Sequence, residues 1–150
     1  MREVDTFAYV SMLKELVEEG HQVSLLISGS SMSPFLIHHR DTIYFQKPDR
    51  QLRVGDMVFY RRRNGKYVMH RICKIKDGRF CMVGDAQNWL EWPIERSQIF
   101  ALVTQVQRKG VITRPGDFWW EFFARVWIHL VPVRPLIMRL YGMGKQVIRK

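Results

Sequence analysis

The dipeptide Asn64-Gly65 constrains the fold most, because it separates two runs of β-prone residues, 57–60 and 67–72. Asn-Gly between such runs is a strong short-range signal for a β-hairpin with a two-residue turn. Counting back from a two-residue turn pairs Phe59 with His70. The chain is therefore predicted to contain an antiparallel sheet built around this hairpin.

Other β-prone runs surround the hairpin and are separated by turn residues. A second hairpin is predicted at Asp77-Gly78, and the remaining predicted strands are 23–27, 42–45, 99–106 and 111–112. Residues 5–19 instead repeat apolar side chains at helical spacing. Several short strands with turns between them favour a mainly β fold, in which a coiled or barrel-like sheet follows an N-terminal helix.

The end of the chain differs from the predicted sheet. Residues 118–130 are rich in aromatic side chains and are predicted to form a helix, whose narrow polar stripe is Asp117, Glu121, Arg125 and His129. Thirteen helical residues reach about 20 Å, short of a hydrocarbon core of about 30 Å, so a spanning helix is not expected. Two interpretations stay open: the helix lies in a membrane interface, or its aromatic face packs on the β core or on a second copy.

These patterns divide the 150 residues into three parts: an N-terminal amphipathic helix (1–20), a β-rich core (21–112) and an aromatic, basic, amphipathic tail (113–150). The formal net charge of +10 calls for an anionic partner. Many of the cations fall within 114–150, which favours an anionic membrane surface over nucleic acid.

The N-terminus and the two cysteines bear on the compartment. The first residues are charged and lack the apolar segment of a signal peptide. Cys73 and Cys81 have no metal-ligand spacing and are expected to be reduced thiols. The protein is predicted to be cytoplasmic, with peripheral contact to the inner face of the membrane. No metal site, phosphate-binding loop or nucleotide motif is present, so no cofactor is expected.

Ser31 and His70 are the candidate catalytic pair. Ser31 lies in a Gly/Ser turn after the apolar run 23–27, where turn N–H groups can point at a developing oxyanion. A serine hydroxyl needs a base to take its proton, and histidine has a suitable pKa for this at neutral pH. The alternative is an ordinary turn serine and an ordinary strand histidine. His38 and His39, close to Ser31 in sequence, are interpreted as a solvated loop pair.

Four segments together resemble the signal-peptidase/LexA-type serine peptidases. They are SGSSMSPFL at 28–36, RVGDMVFY at 53–60, VMHRI at 68–72 and VGDAQ at 83–87. The first is similar to the family's nucleophile segment, in which a serine precedes a methionine, and the third to the segment of the general base. The resemblance, which covers 23 to about 106, implies a peptidase core fold with Ser31 as nucleophile and His70 as base.

The resemblance also implies further site residues. Most members use a lysine as base, and His70 is instead similar to the branch that pairs serine with histidine and an acidic residue. Asp85 or Glu91 would orient His70, although Asp85 has the alternative of a turn residue. The oxyanion would be bound by the Ser31 backbone N–H, with Ser30 nearby. Met32 and Pro34 are expected to contact substrate.

The predicted function is a serine endopeptidase that cleaves a peptide or protein precursor. A self-cleaving LexA-type regulator is one alternative, although no Ala-Gly or Cys-Gly bond precedes Ser31. A non-catalytic, β-rich peptide-binding module is another, and it predicts that Ser31 and His70 are too far apart to share a proton. The oligomeric state is not predicted.

Overall fold

A computed structural model describes residues 3–29, 32–87, 90–137 and 139–140 of the chain. It begins with helix α1 (Glu3–Glu18), and the described residues then form one antiparallel sheet of eight strands. The strands are β1 (Val23–Leu26), β2 (Thr42–Gln46), β3 (Met57–Arg61), β4 (Tyr67–Lys76), β5 (Arg79–Val83), β6 (Glu91–Ile94), β7 (Ile99–Arg108) and β8 (Val111–Thr113). The predicted mainly β fold is confirmed.

The sheet is open rather than closed into a barrel. Its strand order is β1-β2-β7-β3-β4-β5-β6, with β8 paired to β7. β7 is ten residues long and pairs with β2 and β3 along different parts of its length, with bulges in both ladders. Such bulges bend a sheet locally and increase its twist.

The register of the β3–β4 hairpin differs by one residue from the prediction. Phe59 pairs with Met69, and Val58 pairs with His70. The turn contains three residues rather than two, because the Arg62 N–H donates to the Lys66 carbonyl oxygen. A shift of one residue moves a side chain to the other face of a sheet, so His70 shares its face with Val58 instead of Phe59.

Both faces of the sheet carry an apolar core. The first core joins α1, the loop after β1 and the C-terminal residues, and it includes Val17, Phe35, Phe45, Phe59 and Trp127. The second core lies on the opposite face of β3 and β4 and includes Val58, Tyr60, Ile72, Met82 and Ile99. Residues that alternate along one strand therefore reach different cores, as Val58 and Phe59 do.

The predicted C-terminal helix is present, but it is not one regular α-helix. It consists of α2 (Phe118–Glu121), a π-helical turn (Phe122–Val126) and a 3₁₀ segment (Trp127–Val133), followed by helical residues 134–137 and 139–140. We call 118–133 the C-terminal segment. Trp120, Phe123 and Trp127 are buried in the first core. Among the described residues, none of the helices has the length and apolar character needed to cross a bilayer.

Candidate functional site

Ser30 and Ser31, the predicted oxyanion and nucleophile residues, lie outside the described residues, but both flanks of this position are described. On one side the Gly29 N–H donates to His38 Nδ1 at 2.7 Å, and Gly29 has a φ of 95°. On the other side Met32 is buried in the first core. The loop is therefore held on both sides of the predicted nucleophile, and His38 has a structural partner although it is exposed.

The remainder of this loop is held by hydrogen bonds to Asp41 and Arg108. The Asp41 carboxylate is fully buried and accepts hydrogen bonds from the backbone N–H groups of Ile37 and Lys109 and from the Arg40 side chain. Burial opposes ionisation of Asp41, but these donors outweigh it and lower the pKa of the carboxyl group. Arg108 also donates to the Phe35 carbonyl oxygen at 2.7 Å. The loop is thus attached to the end of β7.

His70 lies on β4 with 3% of its surface exposed, at one end of a series of hydrogen bonds. Its Nδ1 lies 3.2 Å from the Tyr60 hydroxyl, which donates to Glu91 Oε2 at 2.9 Å. Glu91 also accepts from Arg62, through Nε at 3.0 Å and Nη2 at 2.9 Å. Glu91 is therefore connected to His70 through Tyr60.

Burial and these hydrogen bonds determine whether the His70 imidazole is protonated and which of its nitrogens carries the proton. Burial lowers the pKa of His70 to about 4, although the negative charge of Glu91 acts in the opposite direction. Because Tyr60 gives its single hydroxyl proton to Glu91, its oxygen is left to accept a proton from His70 Nδ1. We infer a neutral imidazole that carries its proton on Nδ1, so Nε2 has the lone pair that a general base needs.

The pKa values of Tyr60 and Glu91, the two groups linked to His70, are shifted in directions that preserve these hydrogen bonds. Burial and the adjacent Glu91 carboxylate raise the pKa of the Tyr60 hydroxyl, which therefore stays protonated. Burial would raise the pKa of Glu91, but the hydrogen bonds from Arg62 and Tyr60 are stronger and lower it. Glu91 is thus a carboxylate at neutral pH and can accept both bonds.

Asp85 has a different partner from Glu91. It is fully buried and forms two hydrogen bonds to Arg71, at 2.9 Å to Nε and 2.8 Å to Nη2. Arg71 also donates to the Gly55 carbonyl oxygen at 2.9 Å. The hydrogen bonds of the described residues thus connect Glu91 to His70 and Asp85 to Arg71. Of the two candidates for orienting the base, Glu91 has the supporting geometry.

The C-terminal segment holds the loop that contains Asp85. Trp127 Nε1 donates to the Asp85 carbonyl oxygen at 2.7 Å. The buried Arg134 donates to the carbonyl oxygens of Gly84, at 2.8 Å, and Gln87, at 2.9 Å. These bonds fix residues 84–87, which precede β6 and its first residue, Glu91.

A cleft of about 910 Å³ lies beside the serine loop. Ser28, Gly29 and Met32 line it on both sides of the predicted nucleophile, and Val68 and Met69 line it from β4. Of the two residues predicted to contact substrate, Met32 lines the cleft, whereas Pro34 is partly buried and is not among the lining residues. Met69 lies on the first-core face of β4, whereas His70 lies with Val68 on the second-core face and is not among the cleft-lining residues. The imidazole is therefore directed away from the first core, to which Met32 belongs.

Tyr60, Arg62 and Arg71 take part in the site but were not predicted from the sequence. Tyr60 lies diagonally across the β3–β4 ladder from His70, a spacing within reach of an aromatic side chain. A three-residue turn would have placed it there, whereas the predicted two-residue turn placed Phe59 opposite His70. Arg71 directly follows His70, and an arginine at a strand position gives no sequence signal of a buried carboxylate partner.

Comparisons of the chain with protein-family models, with curated proteins and with solved structures gave no match. Within the described ranges, no group of three or more His, Cys, Asp or Glu side chains is arranged to hold a metal ion.

Proposed function

We propose that the protein is a serine endopeptidase in which Ser31 is the nucleophile and His70 the general base. The hydrogen-bonded series His70–Tyr60–Glu91–Arg62 carries the proposal. A histidine whose Nδ1 proton is fixed by a polar partner, with a carboxylate behind it, is the arrangement that activates a serine in Ser–His peptidases. Here a tyrosine hydroxyl stands between the imidazole and the carboxylate.

The proposed reaction has two steps. In acylation, Ser31 Oγ attacks the peptide carbonyl carbon, His70 Nε2 takes the hydroxyl proton, and the leaving amine receives that proton as the C–N bond breaks. In deacylation, His70 takes a proton from water as the water oxygen attacks the ester carbonyl carbon, the bond from that carbon to Ser31 Oγ breaks to release the carboxylic acid, and the proton on His70 passes to Ser31 Oγ. The oxyanion would be bound by the Ser31 backbone N–H, with Ser30 beside it.

A cleavage experiment with variants tests this function. The unmodified protein is incubated with a library of tagged precursor peptides, and products are read by mass spectrometry beside Ser31→Ala and His70→Ala. His21→Ala, a change at an exposed histidine away from the site, is the matched control. Cleavage is expected from the unmodified protein and from the control only. Cleavage that persists in both site variants would show that the dyad is wrong.

A non-catalytic peptide-binding module is the second candidate, and the burial of His70 favours it. His70 is 3% exposed and faces Tyr60, while its neighbour Met69 faces the cleft. A fluorophosphonate probe separates the two functions, because a nucleophilic serine displaces fluoride and keeps the phosphonyl group. Labelling of Ser31 that is lost in His70→Ala supports the peptidase. Absence of labelling together with peptide binding supports the module.

We also propose that the peptidase acts at an anionic membrane surface. The buried side of the C-terminal segment packs on the first core, while the opposite side exposes Phe118 and Trp119, 71% and 50% respectively. We call these two residues the aromatic ridge. Two exposed arginines lie near the ridge in the sequence. The Arg114 backbone N–H donates to the Asp117 side chain, and Arg125 Nε donates to the Glu121 carboxylate. Exposed aromatic residues flanked by cations fit an interface of anionic lipids.

A further inference from the structure

The cleft beside the serine loop has three walls from different parts of the fold. β1, a terminal strand of the sheet, contributes Leu25 and Leu26. The β3–β4 hairpin contributes a second wall that includes Phe59, and α1 contributes a third through Tyr9 and Val10. At about 910 Å³ the cleft has a volume within the range of ligand-binding pockets.

The buried side chains that line the cleft are apolar, although Arg61, Asn64 and Lys66 of the hairpin also line it. Val10, Ile27, Met32 and Phe59 form buried parts of its lining and belong to the first core. Phe59 is itself held by ring contacts with Phe45, whose centroid is 4.8 Å away. An apolar cavity of this size next to a reacting centre would gain free energy from a bulky apolar side chain and little from a small one.

Helix α1 is fixed against the hairpin by a specific bond. Ser11 Oγ of α1 lies 3.0 Å from the hydroxyl of Tyr67 on β4, and Tyr67 also lines the cleft. The Tyr67 ring in turn makes an edge contact with Phe100 at 5.7 Å. Because Val10 and Val17 of α1 are buried in the first core, the helix is a fixed wall rather than a loosely attached segment.

From these contacts we infer that the cleft binds a bulky aliphatic or aromatic side chain of the substrate, within three residues of the scissile bond. Ser28, Gly29 and Met32, which flank Ser31 in the sequence, line the cleft, so a side chain bound there would bring the neighbouring peptide bond towards the proposed nucleophile. The inference rests on the proposed peptidase function for its catalytic meaning. Helix α1 then acts as a specificity element, since it sets the width of the cleft.

Binding is measured separately from cleavage. Ser31→Ala protein is titrated with fluorescein-labelled ten-residue peptides of Gly, Ser and Ala that differ at one central residue, which is Leu, Phe, Ala or Asp. Leu and Phe peptides are expected to bind at least about tenfold tighter than the Ala peptide, because small apolar differences in such pockets change affinity by this order. Equal affinities for all four peptides would overturn the inference.

Matched variants locate the binding. Leu26, which lines the cleft, is 49% exposed, and Leu136, which is not among the cleft-lining residues, is 60% exposed, so Leu→Ser at either position is expected to leave the fold intact. Leu26→Ser in the Ser31→Ala background should remove most of the preference for Leu, and Leu136→Ser should preserve it. Loss of the preference in both, or in neither, would contradict binding in this cleft.

The library digest distinguishes this inference from the proposed function. Cuts by the unmodified protein are expected to have a bulky apolar residue within three positions. If cutting occurs without this preference, the inference is wrong and the peptidase function stands. If no cutting occurs but the Ser31→Ala protein binds Leu and Phe peptides selectively, the peptidase function is wrong and the cleft is a binding site for apolar side chains.

Discussion

At the scale of single residues, the burial of His70 has two consequences. An imidazole away from water resists protonation, and the pKa of His70 is lowered to about 4. The side chain is thus neutral at pH 7 and able to accept a proton, but it is a weaker base than a solvated histidine. The negative charge of Glu91 partly offsets this, because it favours the protonated imidazolium.

The same shift predicts how stability depends on pH. His70 has a folded-state pKa below its ordinary value of 6.5, so the unfolded chain binds a proton that the folded protein does not. The contribution of the neutral imidazole to the free energy of unfolding is therefore complete above pH 6.5. It decreases by about 3 kcal/mol as the pH falls to about 4. In urea unfolding at pH 7 and pH 4, His70→Gln should lose about 3 kcal/mol less than the unmodified protein. An equal loss in both would show that His70 is not buried as described.

Tyr60→Phe tests the connection between His70 and Glu91. The change removes the hydroxyl that bridges the two residues and leaves the Arg62–Glu91 pair in place. If the proposed peptidase function holds, kcat/KM should fall by one to two orders of magnitude, while unfolding free energy falls by about 1–3 kcal/mol because Nδ1 loses its partner. Tyr44→Phe, the same change on β2, is the control and should preserve kcat/KM. Unchanged kcat/KM in Tyr60→Phe would remove Glu91 from the mechanism.

At the scale of elements, the β3–β4 hairpin shows what could be predicted from the sequence and what could not. Strand positions and the turn at Asn64-Gly65 were predictable, because β-prone runs and turn residues are local signals. The register was not, since Gly65 has a φ of 89° and such a residue fits both a two-residue turn and a three-residue turn. That one-residue difference decides whether Phe59 or Tyr60 approaches His70.

The packing of the C-terminal segment on the sheet was left open by the sequence. Its helical character followed from composition, but the partners of Arg71 and Arg134 depend on contacts between residues far apart in the chain. Both arginines are buried, although arginine usually lies at the surface. Breaking a buried ion pair such as Arg71–Asp85 strongly destabilises a protein. The bonds from Trp127 and Arg134 to backbone carbonyl oxygens of residues 84–87 couple the C-terminal segment and the adjoining Arg134 to that loop.

Gly55→Ala tests the close approach between the C-terminal segment and the sheet. A Cβ at Gly55 would lie 2.6 Å from the Ala124 carbonyl oxygen, and Gly55 has a φ of 98°. Gly20 has the same φ, but nothing lies within 4 Å of its Cβ position. Gly20→Ala should therefore report backbone strain alone, about 1–2 kcal/mol, and Gly55→Ala should cost about 2 kcal/mol more, measured by urea unfolding. Equal losses would show that Ala124 does not pack on Gly55.

At the scale of the whole molecule, the C-terminal segment has one face buried in the first core and one face exposed to solvent. Trp120, Phe123 and Trp127 complete the first core, whereas Phe118 and Trp119 remain exposed. The two interpretations of this helix from the sequence are thus compatible, because packing on the core uses one face and leaves the other available. Deleting the tail would remove part of the core, so membrane contact is better tested by substitutions in the aromatic ridge.

A double change, Phe118→Ser with Trp119→Ser, tests whether the net charge of +10 and the aromatic ridge act together at a membrane. Both side chains are at least half exposed, so the fold should be retained. The unmodified protein should co-sediment with phosphatidylglycerol vesicles more than with phosphatidylcholine vesicles, because anionic lipid attracts the cations. The double variant should bind phosphatidylglycerol vesicles at least about tenfold more weakly, because burial of its aromatic side chains is lost.

The control for this experiment removes apolar surface elsewhere. Met12 on α1 and Ile75 on β4 are 50% and 37% exposed, and Met12→Ser with Ile75→Ser should leave vesicle binding close to that of the unmodified protein. Equal loss in both double variants would indicate that general surface apolarity, rather than the ridge, drives binding. Unchanged binding in the ridge variant, or equal binding to both lipids, would rule out an anionic membrane as the partner of the aromatic ridge. Electrostatic attraction weakens as the salt concentration rises. If vesicle binding survives high salt in the unmodified protein but not in the ridge variant, the apolar contribution to binding comes from Phe118 and Trp119.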